Sequence, residues 1–253
     1  MSSKPTAEKP RLDELLVRRG FFASRSRARD AVERGTVRLN SAVATKPGLA
    51  VAEDAAIEVD DPASAYVSRS ALKLIAALDH FGIDVSGKVA LDIGASTGGF
   101  TQVLLERGAG HVIAIDVGHG QLHGSLAGDR RVTSIEGLNA RELSSANLAG
   151  RAPDVLVSDV SFISLKLALP PALDLAANGA DGIFLVKPQF EAGRDAIGNG
   201  GLLRDPKDGP RVAEELRQWL DTQQGWRALG VIPSPIEGGD GNREFLLAGR
   251  KDR

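Results

Sequence analysis

Apolar residues recur on two different periods along this chain, and the change of period divides it. Near the start, RLDELLVRRG places Leu12, Leu15, Leu16 and Arg19 on helical spacing and stops at Gly20, a C-cap residue. Ser24 can cap a second helix over SRSRARDAVERG, whose Ala28, Ala31 and Val32 form a narrow apolar stripe before Gly35. TVRLN alternates with period two and meets the turn pair Asn40-Ser41, and AVATKPGLAV and AAIEVDD continue as short strands. A helix pair followed by a small sheet is therefore predicted over 11–60, after a flexible start at 1–10. The small, polar DPASAY marks a linker over 61–68.

A second domain is predicted over 69–253. From Ser86 onward a strand alternates with a helix several times: VALDIGA, FTQVLLERG, HVIAIDVG, DVLVSDV, a helical LKLALPPALDLAANG, GIFLVKP, a helical RVAEELRQWLDTQ, then VIPSPI and FLLAG. Such alternation predicts a Rossmann-like α/β fold, a mostly parallel sheet with helices on both faces, and ligands bind outside the carboxyl ends of its strands.

Composition narrows the class without changing this picture. The 253 residues are 42% hydrophobic and 25% charged, ordinary for a soluble globular protein. No apolar run is long enough to span a membrane and MSSKPTAEKPR lacks a signal-peptide core, so the expected location is cytoplasmic. With no cysteine there is no disulfide, thiolate metal site or cysteine nucleophile. His80, His111, His119 and His123 lack metal-ligand spacing, so no metal is expected. The net charge of -2 hides an asymmetry: nine basic side chains face four acidic ones over Arg11 to Lys46. That local excess points to a polyanion partner.

The first strand-to-helix turn of the larger domain, LDIGASTGGF, argues for a ligand class. A dinucleotide fingerprint wants GxGxxG, but Gly94, Gly98 and Gly99 are spaced otherwise, and Asp92 would set a carboxylate against the diphosphate. An acid there suits a ligand with an ammonium and a sulfonium, S-adenosylmethionine, with Gly94, Ser96, Thr97 and Gly98 around its amino-acid portion. Asp116 closes the next strand, where an acid can take the two hydroxyls of a ribose, and Asn139 is placed to read the adenine edge.

The acceptor is narrowed by residue type. Methylation at pyrimidine carbon five needs a thiolate, which is absent, and the Asn/Asp-Pro-Pro-aromatic stretch of amino methylation is replaced by SDVSFIS at 158–164. An alcohol remains; its proton must leave and its oxyanion must be stabilised. In IFLVKPQF, Pro188 holds Lys187 extended and ends the strand, so the ammonium is presented at the carboxyl edge. A buried ammonium needs partners. Asp159 ends the neighbouring strand, and Lys73 and Glu244 complete a lysine-acid-lysine-acid cluster. Phe162, beyond Asp159, is open to two readings, a core residue or a stacking platform for an extruded base. Arg69, beside the linker, is placed to hold a nucleic-acid backbone, and EAGRDAIGNGGLL reads as a mobile loop over the site.

Two resemblances add to this. RxDxxLVxxG, SRxxAxxxxxxGxVxxN and the following KPG resemble the RNA-binding domain first known from ribosomal protein S4, which implies RNA contacts at Arg11, Arg25 and Lys46. The order Lys73, Asp159, Lys187, Glu244 is similar to the tetrad of FtsJ-type ribose 2′-O-methyltransferases. With VSRSALKL, LDIGASTGGFTQVLLERGA, DVSFISL, LVKPQFEAG and GNREFLL, the chain resembles the TlyA, or hemolysin A, family from Arg11 to Gly249. That resemblance implies methyl transfer from S-adenosylmethionine to the 2′-hydroxyl of a cytidine in ribosomal RNA, with the ribosomal subunit as partner. The short C-terminal end, as in shorter relatives, implies the large subunit. Lys187 is then either the proton acceptor or an electrostatic stabiliser. Two rival classes are a non-catalytic assembly factor that binds RNA and a membrane-active hemolysin.

Overall fold

The computed structural model describes residues 9–239 and 241–252. Of the flexible start expected at 1–10, residues 1–8 therefore lie outside the described residues. The chain divides into two compact units, meeting at Ala65 and Tyr66.

In the first unit, α1 (Leu12–Arg18) and α2 (Arg25–Glu33) bury Leu12, Leu15, Leu16, Ala28, Ala31 and Val32, the stripes their spacing predicts. Ser24 caps α2 by accepting from the Arg27 amide. The strands β1 (Val37–Leu39), β2 (Ala42–Val43) and β3 (Ile57–Val59) form an antiparallel sheet in the order β2-β1-β3. Asn40 and Ser41, both at positive φ (49° and 68°), make the two-residue hairpin turn. AVATKPGLAV is strand only over β2. Its remainder turns so that the Pro47 and Leu49 carbonyls accept from the Asp13 and Leu12 amides. Segment 61–68, expected as a linker, is divided. Arg34 donates to both Asp61 oxygens at 2.8 and 2.9 Å and to Asp30 at 2.8 Å, and Pro62–Ala65 is a short 3-10 helix, which joins 61–65 to the first unit. Bidentate pairing offsets the burial of Asp61, whose carboxyl is held below its ordinary range although burial alone would raise it.

The second unit begins with α3 (Ala71–Phe81), then β4 (Val89–Ile93), α4 (Gly99–Glu106), β5 (His111–Asp116), α5 (Gly124–Ala127) and β6 (Val132–Glu136). It continues with β7 (Val155–Ser158), α6 (Leu165–Ala168), α7 (Pro170–Leu175), β8 (Asp181–Val186), α8 (Pro188–Glu191), α9 (Asp208–Asp221), β9 (Trp226–Pro233) and β10 (Phe245–Lys251). The sheet order is β6-β5-β4-β7-β8-β10-β9, parallel from β6 to β8, with β10 and β9 antiparallel at one side. Each strand feeds two cores. In β8, Ile183 and Leu185 pack with Leu74, Leu104 and Val157, while Phe184 and Val186 pack with Leu156, Leu216 and Trp226 on the other face. That two-sided burial explains why the strand reads as one apolar run.

Several elements differ from the sequence reading: α5 and β6 lie outside the segments named there, and β9 begins at Trp226, ahead of VIPSPI. LKLALPPALDLAANG forms two helices because Pro170 and Pro171 offer no amide to the turn before them, and proline is suited to a first turn. The 191–203 segment folds into short 3-10 turns and an Ile197–Leu203 bridge, with Asn242 donating to the Gly201 carbonyl at 3.0 Å. Among the described residues no helix is long and apolar enough to cross a membrane.

Candidate active site

The carboxyl ends of β4, β7 and β8 converge on a cleft of about 150 Å³ lined by Ser68, Ser70, Gly94, Ala95, Ser96, Thr97, Phe100, Asp159, Ser161 and Lys187. Parallel strands leave such a crevice where the connections diverge above and below the sheet. The 94–98 turn forms its floor. Gly94 has φ 81°, and a Cβ there would lie 3.0 Å from Val160 Cγ1. Gly98 has φ 97°, and a Cβ would fall 2.4 Å from Leu126 Cδ1. The need for glycine at 98 thus comes from the approach of α5, where the sequence suggested only room for a ligand.

Carboxylates surround this turn in different states. Asp116 accepts from the Ser96 amide at 2.8 Å and the Gly118 amide at 2.7 Å, and stays partly exposed at the end of β5. Asp92 does not line the cleft. It is wholly buried beneath the turn, where Thr101 Oγ1 donates to Oδ2 at 2.7 Å and Oδ1 has no hydrogen-bond partner among the described residues. Burial, with Asp159 and Asp116 adding repulsion, pushes its carboxyl up to about 7 against the pull of Thr101. A folded value above the unfolded 3.8 means the folded protein holds a proton that the unfolded chain has lost. This contribution is complete below pH 3.8 and declines until pH 7. Asp92→Asn is expected to remove the decline, so its melting temperature should gain on the wild type as pH rises from about 4 to 7. A constant difference across that window in differential scanning fluorimetry would refute the assignment.

The predicted tetrad assembles as two ion pairs. Lys187, buried and extended (φ -111°, ψ 96°) before Pro188, sets Nζ 2.7 Å from Asp159 Oδ1. That contact pairs charge without the alignment of a hydrogen bond. Directed donation goes to Ser161 Oγ at 2.6 Å. Lys73, on the buried face of α3, donates to Glu244 Oε2 at 2.5 Å, and both are about 95% buried. Across β8 and β10 the register pairs Val186 with Phe245, so the next positions outward are Lys187 and Glu244. Lys187 and Glu244 are therefore neighbouring positions at the carboxyl end of β8, although only the Lys187–Asp159 pair lines the cleft.

Other expected site residues are placed as follows. Phe162 is 89% exposed at φ 65°, its ring 5.1 Å from that of Phe190, which excludes the core reading. Arg69 lies between the cleft-lining Ser68 and Ser70, whose hydroxyls are 3.0 Å apart. Asn139 is outside the cleft lining and caps a one-turn 3-10 helix, Oδ1 accepting from the Arg141 amide at 3.1 Å. In the first unit, exposed Arg11 and Arg25 converge on buried Asp13 at 3.2 and 3.1 Å, and exposed Lys46 begins the turn that receives the Asp13 amide. Burial alone would raise the Asp13 carboxyl; the two guanidiniums hold it below its usual range. Among the described residues no group of three or more His, Cys, Asp or Glu could hold a metal. Sequence reasoning missed Ser68, Ser70, Ser161 and Glu191. Only their presence within the motifs VSRSALKL, DVSFISL and LVKPQFEAG marked them.

The donor set fits an amino-acid-sized moiety better than a diphosphate, since the small cleft is lined by hydroxyls and the Asp159 carboxylate, with Asp116 bonded to the turn. Comparison with known proteins agrees. The FtsJ-like methyltransferase family matches residues 66–251 and the S4 domain matches residues 10–57. The chain is 46% identical over 242 residues to the 16S/23S rRNA (cytidine-2′-O)-methyltransferase TlyA of Mycobacterium tuberculosis, covering 95% of this chain and 90% of that protein. It is 36% identical over 191 residues to the 23S rRNA (cytidine-2′-O)-methyltransferase TlyA of Campylobacter jejuni, covering 75% and 73%. A solved structure from Streptococcus thermophilus, named as a hemolysin, superposes with a TM-score of 0.74 at 40% identity, covering 96% of this chain and 89% of that one. An FtsJ-like methyltransferase unit preceded by an S4 domain, with relatives of this identity over nearly its full length, makes this chain a member of the TlyA, or hemolysin A, family.

Proposed function

We propose that this protein transfers a methyl group from S-adenosylmethionine to the ribose 2′-hydroxyl of a cytidine in ribosomal RNA. The observation that carries the reading is the pair of lysine-acid contacts, Lys187–Asp159 and Lys73–Glu244, the first of them lining the cleft with the 94–97 turn. Bound there, S-adenosylmethionine would supply an electrophilic methyl group on its sulfonium and would leave as the neutral thioether when that carbon–sulfur bond breaks. Gly94, Ser96 and Thr97 hold its amino-acid portion, and Asp116, with two backbone amides fixing its carboxylate, takes a ribose diol. Asp92 acts from below, by setting the field under the turn.

The acceptor hydroxyl needs an oriented lone pair and a destination for its proton. Lys187 donates to the acceptor oxygen and stabilises negative charge as its bond to carbon forms. The Asp159 carboxylate, partly exposed in the cleft lining, can receive the proton. The Lys73–Glu244 pair fixes the field beside Lys187 and excludes water from that flank. Phe162, exposed and held against Phe190, stacks on the base of the extruded nucleotide, while Arg69, Arg11, Arg25 and Lys46 hold RNA phosphates.

Large-subunit RNA is the substrate proposed, because 23S is common to both relatives' names. The test is incubation with methyl-labelled S-adenosylmethionine and separated ribosomal subunits, followed by alkaline hydrolysis. Label in one RNA at an alkali-resistant linkage supports the reading and identifies the subunit; RNA binding without label on either leaves the assembly-factor reading. Phe162→Ala should raise KM for RNA about 10- to 100-fold, in line with the worth of one base stack, and leave S-adenosylmethionine affinity and melting temperature unchanged. Steady-state kinetics and calorimetry on the same preparation check this.

A further inference from the structure

Besides the Lys187–Asp159 ion pair, three residues after β8 hold the loop at 159–164. Lys187 Nζ donates to Ser161 Oγ at 2.6 Å, the rings of Phe190 and Phe162 lie 5.1 Å apart, and Glu191 grips the far end. Its Oε2 accepts from Ser164 Oγ at 2.6 Å and its Oε1 from the Leu165 amide at 2.7 Å. The latter is an orphan donor at the start of α6, so a carboxylate from a distant element caps this helix. Burial pushes the Glu191 carboxyl above its ordinary range, although Ser164, Leu165 and Lys166 pull it down.

A loop end could be capped more simply by its own Ser164, which already accepts from the Lys166 amide at 3.1 Å. The added carboxylate does something that local capping cannot: it ties the loop to the one-turn helix immediately beyond Lys187. Between the tied ends the chain carries Asp159 and Ser161, both at Lys187 Nζ, and Phe162 at positive φ with its ring in solvent. A left-handed phenylalanine is costly, and such a conformation persists only where its surroundings over-determine it. We propose that Glu191 is a positioning residue that clamps the 159–164 loop to the Lys187 segment, so that the Phe162 ring and the reacting ammonium keep one spacing. The clamp acts chiefly on the RNA acceptor: the 94–97 turn, although Gly94 packs against Val160, keeps bonds of its own to Asp116 and the Ile115 carbonyl. The inference rests on the RNA-methylation reading of this site.

The test combines hydrogen exchange, which needs no turnover, with kinetics on full-length protein. Glu191→Ala should speed exchange of the Leu165 amide and of residues 161–163 about tenfold and leave residues 94–98 unchanged. It should lower kcat/KM for ribosomal RNA about tenfold with S-adenosylmethionine affinity within twofold. Glu191→Gln retains an acceptor for Leu165 and a group that can bond Ser164, and should restore both readouts. In a Phe162→Ala background Glu191→Ala should have little further effect, since both act on the same contact. Unchanged exchange, multiplicative effects of the two substitutions, or a parallel loss of donor affinity would each overturn the clamp. Faster exchange in a protein whose wild type methylates neither subunit overturns the RNA reading, and with it the purpose assigned to Glu191.

Discussion

Lys187→Ala is expected to lower the rate of methyl transfer about 10²- to 10³-fold at saturating substrates, the usual cost of losing a preorganised charge at a developing oxyanion. The donor should still bind within a few-fold, because the turn residues that hold it take their geometry from Asp116 and the Ile115 carbonyl. Lys187→Arg should not restore the rate. The ammonium sits between Asp159 and Ser161 at 2.7 and 2.6 Å in a cleft of about 150 Å³, and a planar guanidinium cannot enter that geometry without displacing one of them. Single-turnover label transfer separates this step from RNA binding. An alanine variant within tenfold of wild type would remove Lys187 from the chemistry.

Glu244→Ala should lose activity and stability together. It leaves the Lys73 ammonium, 5% exposed, without its partner at 2.5 Å, and an orphaned buried charge costs about 3–5 kcal/mol. Asp159→Ala offers the contrast. Its partner Lys187 keeps Ser161 and reaches the cleft, so activity should fall with a much smaller loss of stability. A second control separates structure from chemistry: Lys73→Met combined with Glu244→Leu removes both charges, and should recover most of the stability while remaining inactive. Urea denaturation with label transfer on each variant decides the matter. If Glu244→Ala unfolds at the wild-type midpoint, the Lys73 ammonium is not confined as its burial indicates.

Most of the architecture was legible because local patterns carry it. The apolar run of β8, the helical stripes of α1 and α2, the hairpin at Asn40-Ser41 and the break imposed by Pro188 each depend on a few adjacent residues. So did the four residue types of the ion pairs, whose order along the chain resembles that of a known family. The double proline that splits α6 from α7 was equally local, and periodicity alone hid it.

Tertiary structure decided what depends on neighbours distant in sequence. Lys73 and Glu244 are 171 positions apart, and only the antiparallel return of β10 beside β8 brings them together. Asp92 and Asp116 both lie at strand ends with similar contexts. Asp92, one position inside the end of β4, is covered and meets Thr101, while Asp116, the last residue of β5, reaches backbone amides at the surface, a difference of burial that the residue type does not encode. Gly98 is required by Leu126, and Phe162 faces solvent because its backbone is held left-handed within a loop clamped from α8. The sequence by itself determined the elements, the residue types at the site and the family. The pairing of charges, the burial of Asp92 and the presentation of Phe162 were decided by packing, because burial and electrostatic partnership belong to positions in space rather than along the chain.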